Sequence, residues 1–175
     1  MLIRKMQENE IDFVRKQRLD CYKSYENLVS KAHWEALRGT LSSDNDVKLG
    51  VDIFVMEAKG QIVGSVVLFP AKLEAYEWTT GQQNYPEIRM LAVEPSMQRS
   101  GIGKLLITHC IQAAKEKGYT HVGLHTADFM NSAISLYKKI GFERVRELDF
   151  EPANDGVMVK GFKISTAKTG NEIGI

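Results

Sequence analysis

The sequence predicts an α+β fold: a mixed, mostly antiparallel sheet with helices on both faces. Three observations carry this reading. Two β-rich runs, residues 51–58 and 61–69, are separated only by Lys59-Gly60, which marks a hairpin. A strand-like run from Glu87 to Val93 leads through a glycine-bearing loop into an apolar-periodic segment. A strand and a helix then follow again between Tyr119 and Phe142. The chain has 175 residues and a mass of 19.7 kDa, enough for one domain with a full core. The domain is expected over residues 1–165, with 166–175 as a frayed tail.

Taken in order, residues 1–6 read as a short first strand. Asn9 is a candidate cap for a helix in which Ile11, Val14, Leu19 and Tyr22 recur at helical spacing. A second helix is expected over residues 30–41, through Ala32, Trp34 and Leu37, before a polar loop at 42–46. After the hairpin, residues 72–86 gather Glu74, Tyr76, Glu77, Trp78 and Tyr85 around Thr79-Thr80-Gly81. That segment is either a solvated hairpin extension or a wall that suits a cationic amine. The strand from Glu87 turns continuously apolar at Met90, as a centrally buried strand does. The next helix runs to Lys117, with Ile102, Leu105, Leu106, Cys110 and Ala113 on one face and Gly118 at its left-handed stop. Residues 119–126 read as a strand, Asn131 as the cap of a helix that Gly141 ends, and residues 142–146 and 156–163 as the last two strands. The resulting order is β-α-α-β-β-β-α-β-α-β-β.

Composition excludes several classes. Hydrophobic residues make up 43% and charged residues 26%, as in soluble globular domains. The formal net charge is +1, so no global field draws the chain to nucleic acid or an anionic membrane. Any anion site must be local. Cys21 and Cys110 lie far apart in helix-like segments and suit idle thiols in a reducing compartment. No charged-then-apolar leader or membrane-length apolar run is present, and a cytoplasmic location is expected. The four histidines show no zinc spacing, no Gly-x-Ser-x-Gly elbow occurs, and no metal is expected.

The local anion site is Gln98-Arg99-Ser100-Gly101-Ile102-Gly103-Lys104. At a helix start, backbone N–H groups lack intrahelical partners and the dipole is positive, so such a loop holds phosphate. It is not a Walker loop: Gln98 stands at the first glycine position, and Leu105 follows Lys104 where a hydroxyl would meet magnesium. It is not the dinucleotide fingerprint, because Leu106 holds the third glycine position. It does fit Gln/Arg-x-x-Gly-x-Gly/Ala. With the strand before it, the stretch closely resembles the acyl-CoA motif of the GCN5-related N-acetyltransferases (GNAT). Residues 87–142 carry most of the resemblance, because the helix from Asn131 with Tyr137-x-x-x-Gly141-Phe142 stands in register with the loop. It covers nearly the whole chain and implies the GNAT-type acyl-CoA N-acyltransferase fold.

The resemblance also implies roles. The strand at Leu91, Ala92 and Val93 would splay from its neighbour and hold the pantetheine arm, with the backbone near Leu91 and Ala92 facing the thioester carbonyl. Residues Arg99 to Lys104 would wrap the pyrophosphate, and Asn131 would bond the arm. Tyr137 would protonate the leaving thiolate; a phenol with a reference pKa of ~10 is protonated at neutral pH. Glu87 would act as base toward the amine, and His125 is the alternative base. The expected activity is transfer of acetyl from acetyl-CoA to a primary amine of a small molecule, directly within a ternary complex. A protein N-terminus or lysine is the alternative acceptor, and a non-catalytic acyl-CoA sensor is the alternative of another class. A homodimer is compatible with the family's habit of pairing through late strands.

Overall fold

The computed structural model describes residues 1–71 and 84–168. The acidic and aromatic segment from Lys72 through position 83 lies outside the described residues. Among the described residues seven strands form one sheet: β1 (Leu2–Lys5), β2 (Asp52–Ala58), β3 (Gln61–Phe69), β4 (Glu87–Val93), β5 (His121–Ala127), β6 (Glu143–Arg144) and β7 (Val159–Ser165). Their spatial order is β1-β2-β3-β4-β5-β7-β6. The β4–β5 pair is parallel, and the other named pairs are antiparallel. The mixed, mostly antiparallel sheet expected from the element order is the one found.

Among the described residues four α-helices cover the two faces: α1 (Ile11–Tyr22), α2 (Lys31–Leu41), α3 (Ile102–Glu116) and α4 (Asn131–Ile140). Strand alternation explains why both faces are covered. Side chains along a strand point to opposite sides, so a run apolar at every position feeds two cores. In β2, Phe54 and Met56 join Ile102, Leu106, Tyr137 and Ile140 beneath α3 and α4. Their neighbours Ile53 and Val55 join Val14 and Leu41 beneath α1 and α2. β3 divides likewise, with Val66 and Leu68 on one side and Val67 and Phe69 on the other.

Several local expectations are corrected. Asn9 does not cap α1; it lies in a 3-10 turn, Glu8–Glu10, that feeds straight into the helix. Gln7 and Glu10 cap that turn reciprocally, and Glu10 is also held by Arg4 at 2.7 Å. Leu105 is 45% exposed. The buried stripe of α3 is Ile102, Leu106, Ile107, Cys110, Ile111 and Ala114, and at 100° per residue Leu105 stands nearly opposite its middle. Asn131 is the first residue of α4 rather than its cap, a position Met130 takes without a side-chain cap bond. The strand expected over 142–146 shortens to β6, and a 3-10 turn, Arg146–Leu148, follows. Arg144 forks onto Asp149 at 2.6 and 2.7 Å, folding the chain back over β7. The tail keeps its first residue tied: Thr166 is buried and donates from Oγ1 to the Tyr119 carbonyl at 2.7 Å. Positions 169–175 lie outside the described residues.

Gly118 and Gly141 do end α3 and α4 in left-handed backbone, at φ +88° and +111°. On the α1 side, Arg18 is fully buried and bonds Asp46 and the Leu41 carbonyl, each at 3.0 Å. This pair anchors the loop after α2 to α1, and so fixes one wall of the site. Among the described residues no helix is long and apolar enough to cross a membrane.

Candidate active site

The site forms where β4 leaves β5. The two strands pair at Glu87–Gly123 and Ile88–Leu124, and their ladder stops there. β4 continues to Val93 against β3 alone, with a bulge: Ser65 to Val67 on β3 faces Ala92 to Arg89 on β4. The extra residue places Met90 at φ +56°, a left-handed backbone that a methionine adopts at a cost of roughly 1–2 kcal/mol. Strain of this kind re-aims the strand, here at the mouth of the wedge.

A cleft of about 110 Å³ occupies the wedge. Leu91, Ala92 and Val93 of β4 line one side, and Met130, Ala133 and Tyr137 line the other. Cys21, Tyr22 and Tyr25, at and just beyond the end of α1, close it. A second cavity of about 80 Å³ opens toward α2 and is lined by Leu37, Thr40, Leu41, Phe129, Phe150 and Val159. Both cavities share Tyr22, Arg89, Met90, His125, Thr126 and Met130, so they meet at the splay.

The glycine loop sits at the outer end of β4. Gln98 donates from Nε2 to the Val93 carbonyl at 3.2 Å, tying the loop to the strand. Ser100 donates from Oγ to the Met97 carbonyl. Gly101 is the N-cap of α3 at φ +87°, following Arg99 at φ +62°. The Leu105 N–H donates to the Gly101 carbonyl at 3.0 Å, so the first-turn N–H groups of Ile102 and Gly103 have no partner within the helix. The Ile102 side chain is buried in the core, and only its backbone is available to a ligand. A Cβ at Gly103 would stand 3.3 Å from Leu136 Cδ2, so α3 starts close against α4. Arg99 is exposed and Lys104 half-buried. Strand edge, loop and helix start form one continuous surface, with extended backbone on one part and first-turn N–H donors on the other. Those features fit coenzyme A: the β4 edge beyond Ile88 suits an amide-bearing arm, and the α3 start suits a pyrophosphate.

Tyr137 is 7% exposed, lines the cleft and packs edge-on against Phe142 at 5.9 Å between centroids. Burial pushes its phenol well above the ordinary range, so it stays protonated. Asn131 is exposed at the start of α4 and is not among the residues lining the cleft; Met130 and Ala133 take that place.

Glu87 and His125 are brought together. The β4–β5 register sets Glu87 opposite Gly123, and His125 is two residues further on the same face. His125 Nδ1 lies 2.5 Å from Glu87 Oε1, with side chains 3% and 5% exposed. His125 Nε2 lies 3.0 Å from the Leu148 carbonyl, which can only accept, so that nitrogen donates. Burial pushes His125 down, but the Glu87 carboxylate outweighs this and holds it above its ordinary value. His125 lines both cavities and Glu87 lines neither. The two candidate bases are therefore one buried pair.

Cys21 lies in the cleft wall, its thiol pushed up to about 11 by burial. Cys110 is fully buried on the inner face of α3 and also pushed up. Neither is a thiolate at neutral pH. The sequence reading missed Tyr22, Tyr25, Arg89, Thr126 and Met130 as cleft residues. Arg89 carried a signal: it is a charge set between Ile88 and Met90 in a strand otherwise apolar.

Comparison with known proteins agrees with this geometry. The sequence profile of the Acetyltransferase (GNAT) family matches residues 12–142. N-acetyltransferase 8 of Rattus norvegicus is 33% identical over 124 residues, covering 70% of this chain and 53% of that protein. The chain spans about half, or less, of the length of the curated relatives it matches. Ribosomal-protein-alanine N-acetyltransferase of Brucella melitensis superposes with a TM-score of 0.66 at 19% identity, over 95% of this chain and 99% of that one. An aminoglycoside 6'-N-acetyltransferase complexed with coenzyme A superposes at 0.64 with 15% identity, over 97% and 99%. Sheet order, splayed strands, glycine loop and profile match together place the chain in the GNAT acetyltransferase family.

Proposed function

We propose that this chain transfers an acetyl group from acetyl-CoA to the primary amine of a small molecule, directly within a ternary complex. One observation carries the reading: the β4 edge freed by the splay runs into the first turn of α3, beside Tyr137. Acetyl-CoA, when bound, supplies an acetyl group activated as a thioester. The backbone of Leu91, Ala92 and Val93 would hold its arm, and the N–H groups from Arg99 to Lys104 its pyrophosphate. Asn131, exposed beside the cleft, would contact the arm only at its rim. Tyr137 holds a proton at its hydroxyl and would deliver it to the departing thiolate. Glu87 would act as a positioning residue through His125, because its carboxylate is committed to that ring.

The limited volume of the second cavity supports a small acceptor over a folded protein surface. Idle thiols at Cys21 and Cys110 support a reducing, cytoplasmic setting. The test is thiol release from acetyl-CoA with a panel of small amines and peptides. Turnover of small amines is expected. Turnover of peptides alone would move the acceptor to protein, and no turnover at all would favour a sensor.

The loop carries its own prediction. A Cβ at Gly101 would meet nothing within 4 Å, so its glycine serves the left-handed backbone rather than space. Gly101→Ala should strain the α3 start by roughly 1–2 kcal/mol. Coenzyme A affinity, read by calorimetric titration, should then fall about tenfold, since 1.4 kcal/mol is one decade. Unchanged affinity would mean the loop does not anchor the ligand.

A further inference from the structure

The second cavity is walled from three directions. His33, Leu37 and Leu41 recur every four residues, so one face of α2 forms the first wall. Phe129, between β5 and α4, stands in the second. Phe150 and Val159 form the third. These two residues bridge as an antiparallel pair, their N–H groups donating to each other's carbonyls at 3.0 and 2.8 Å. The chain between them, residues 151–158, is a hairpin tip that turns through left-handed backbone at Asn154 and Gly156. The Glu151 carboxylate accepts from the Gly156 N–H at 2.7 Å and closes the tip on itself.

Two carboxylates dock this tip on the other walls. Asp128, just after β5, accepts from the Met158 N–H at 3.2 Å. Asp155 reaches the start of α2. Its Oδ2 accepts from the Ser30 N–H at 3.1 Å and lies 3.0 Å from His33 Nδ1, while its Oδ1 accepts from the Val157 N–H at 3.2 Å. Burial pushes the Asp155 carboxyl up, but the Ser30 and Val157 N–H groups and His33 outweigh this and hold it down at about 2. An ionised carboxylate can only accept, so His33 Nδ1 donates. Ser30 is the N-cap of α2, and its hydroxyl accepts from the His33 N–H at 3.1 Å. The carboxylate therefore stands at the positive end of the helix dipole. His33 is buried and belongs both to this clasp and to the cavity wall. Without the clasp, the tip would have to be ordered each time an acceptor binds, which weakens binding. We propose that Asp155 is a positioning residue of the acceptor site: it clasps the 151–158 tip to α2 and so holds the Phe150–Val159 wall against the other two. This rests on the acetyltransferase reading above and adds the residue that shapes the acceptor half of the site.

The test is steady-state thiol release with the amine of the panel that turns over best, each substrate varied while the other is held saturating. Asp155→Ala should raise KM for the amine about tenfold, the scale of ordering one or two side chains at binding. KM for acetyl-CoA should stay within about twofold and kcat within about threefold, because the cleft and Tyr137 are untouched. Asp155→Asn keeps an oxygen for the Ser30 N–H and should raise the amine KM only about threefold. Asp52→Asn is the control for general destabilisation. It loosens contacts to Lys5 and Lys117 outside both cavities, and should move neither KM beyond about twofold. An unchanged amine KM in Asp155→Ala, or equal rises for the amine and acetyl-CoA, overturns the proposal and leaves the acetyltransferase reading standing. A loss carried by kcat alone does the same. No turnover of any amine by the unmodified chain overturns the transferase reading, and the proposal with it. If Asp155→Ala fails to fold, Asp155→Asn decides by the same split between the two KM values.

Discussion

Tyr137→Phe is expected to lower kcat by about 100-fold or more, the usual contribution of a positioned general acid. The change removes the hydroxyl and keeps the ring, so the contact with Phe142 and the fill beneath α4 persist. Stability should stay within about 1 kcal/mol, because no buried partner is orphaned. Acetyl-CoA should still raise the melting temperature, since the loop and β4 edge are untouched. This combination, binding intact and turnover lost, separates a catalytic phenol from a packing aromatic. The raised pKa fits the role: the group is protonated throughout the working range and has a proton to give. Turnover unaffected by the substitution would remove Tyr137 from the chemistry.

Glu87→Gln should act on stability and acceptor binding more than on proton transfer. In the native pair, His125 has a folded pKa above its unfolded value. Folding therefore takes up a proton, and the pair's stabilisation is fully present below the unfolded value of ~6.5. It is lost as pH rises through the raised folded value. With glutamine at position 87 the carboxylate is gone, and burial, the largest influence, together with the Arg89 charge lowers the histidine's pKa against the Leu148 hydrogen bond that still raises it. The slope then reverses, and stability falls as pH drops. Near pH 6 the variant should be less stable by about 1.5–3 kcal/mol, the range for a hydrogen bond to a charged group. Urea denaturation at several pH values reads both the size and the sign.

The kinetic consequence follows from what His125 holds. It donates to the Leu148 carbonyl and packs edge-on against Phe150, which lines the second cavity. Loosening the pair should loosen that wall, so KM for the acceptor should rise about tenfold and carry most of the loss in kcat/KM. If kcat instead falls 100-fold and the acid limb of the pH–rate profile disappears, Glu87 is the base toward the amine. In that case the positioning role is wrong.

The fold was legible because its signals are local. A hairpin needs only a tight turn between β-rich runs, and β4 announces two-sided burial through its continuously apolar run from Met90. The glycine loop was legible as a helix start because Gly101 serves the backbone itself, and it does take the left-handed conformation. What failed was the assignment of single side chains. Asn9 and Asn131 are good caps by propensity, but Gln7 with Glu10, and Met130, took those positions. Leu105 is apolar and three residues from Ile102, but the buried stripe runs through Leu106, Ile107, Cys110 and Ile111, which leaves Leu105 on the far side of α3.

The site was legible as a list of parts and not as an arrangement. Glu87 and His125 are 38 positions apart, and only the β4–β5 register makes them neighbours. Read singly, each was a candidate base; read together, they satisfy each other. The bulge at Met90 had no sequence mark, because methionine is a poor residue for a left-handed backbone. Tyr22 ends α1 and Tyr25 lies in the 3-10 turn after it, and tertiary packing alone carries them to the cleft between β4 and β5.

The measurement that bears most directly on the account is the melting temperature of the unmodified chain with and without acetyl-CoA. The splayed strands and the α3 start are assigned to that one ligand. At 100 times its dissociation constant a ligand adds about 2.7 kcal/mol of stability. For a domain of this size that is a rise of roughly 5–10 °C. A rise of this order at millimolar acetyl-CoA, saturating with concentration, is the predicted result. No shift at millimolar ligand would contradict the assignment of the cleft and of the loop that opens it.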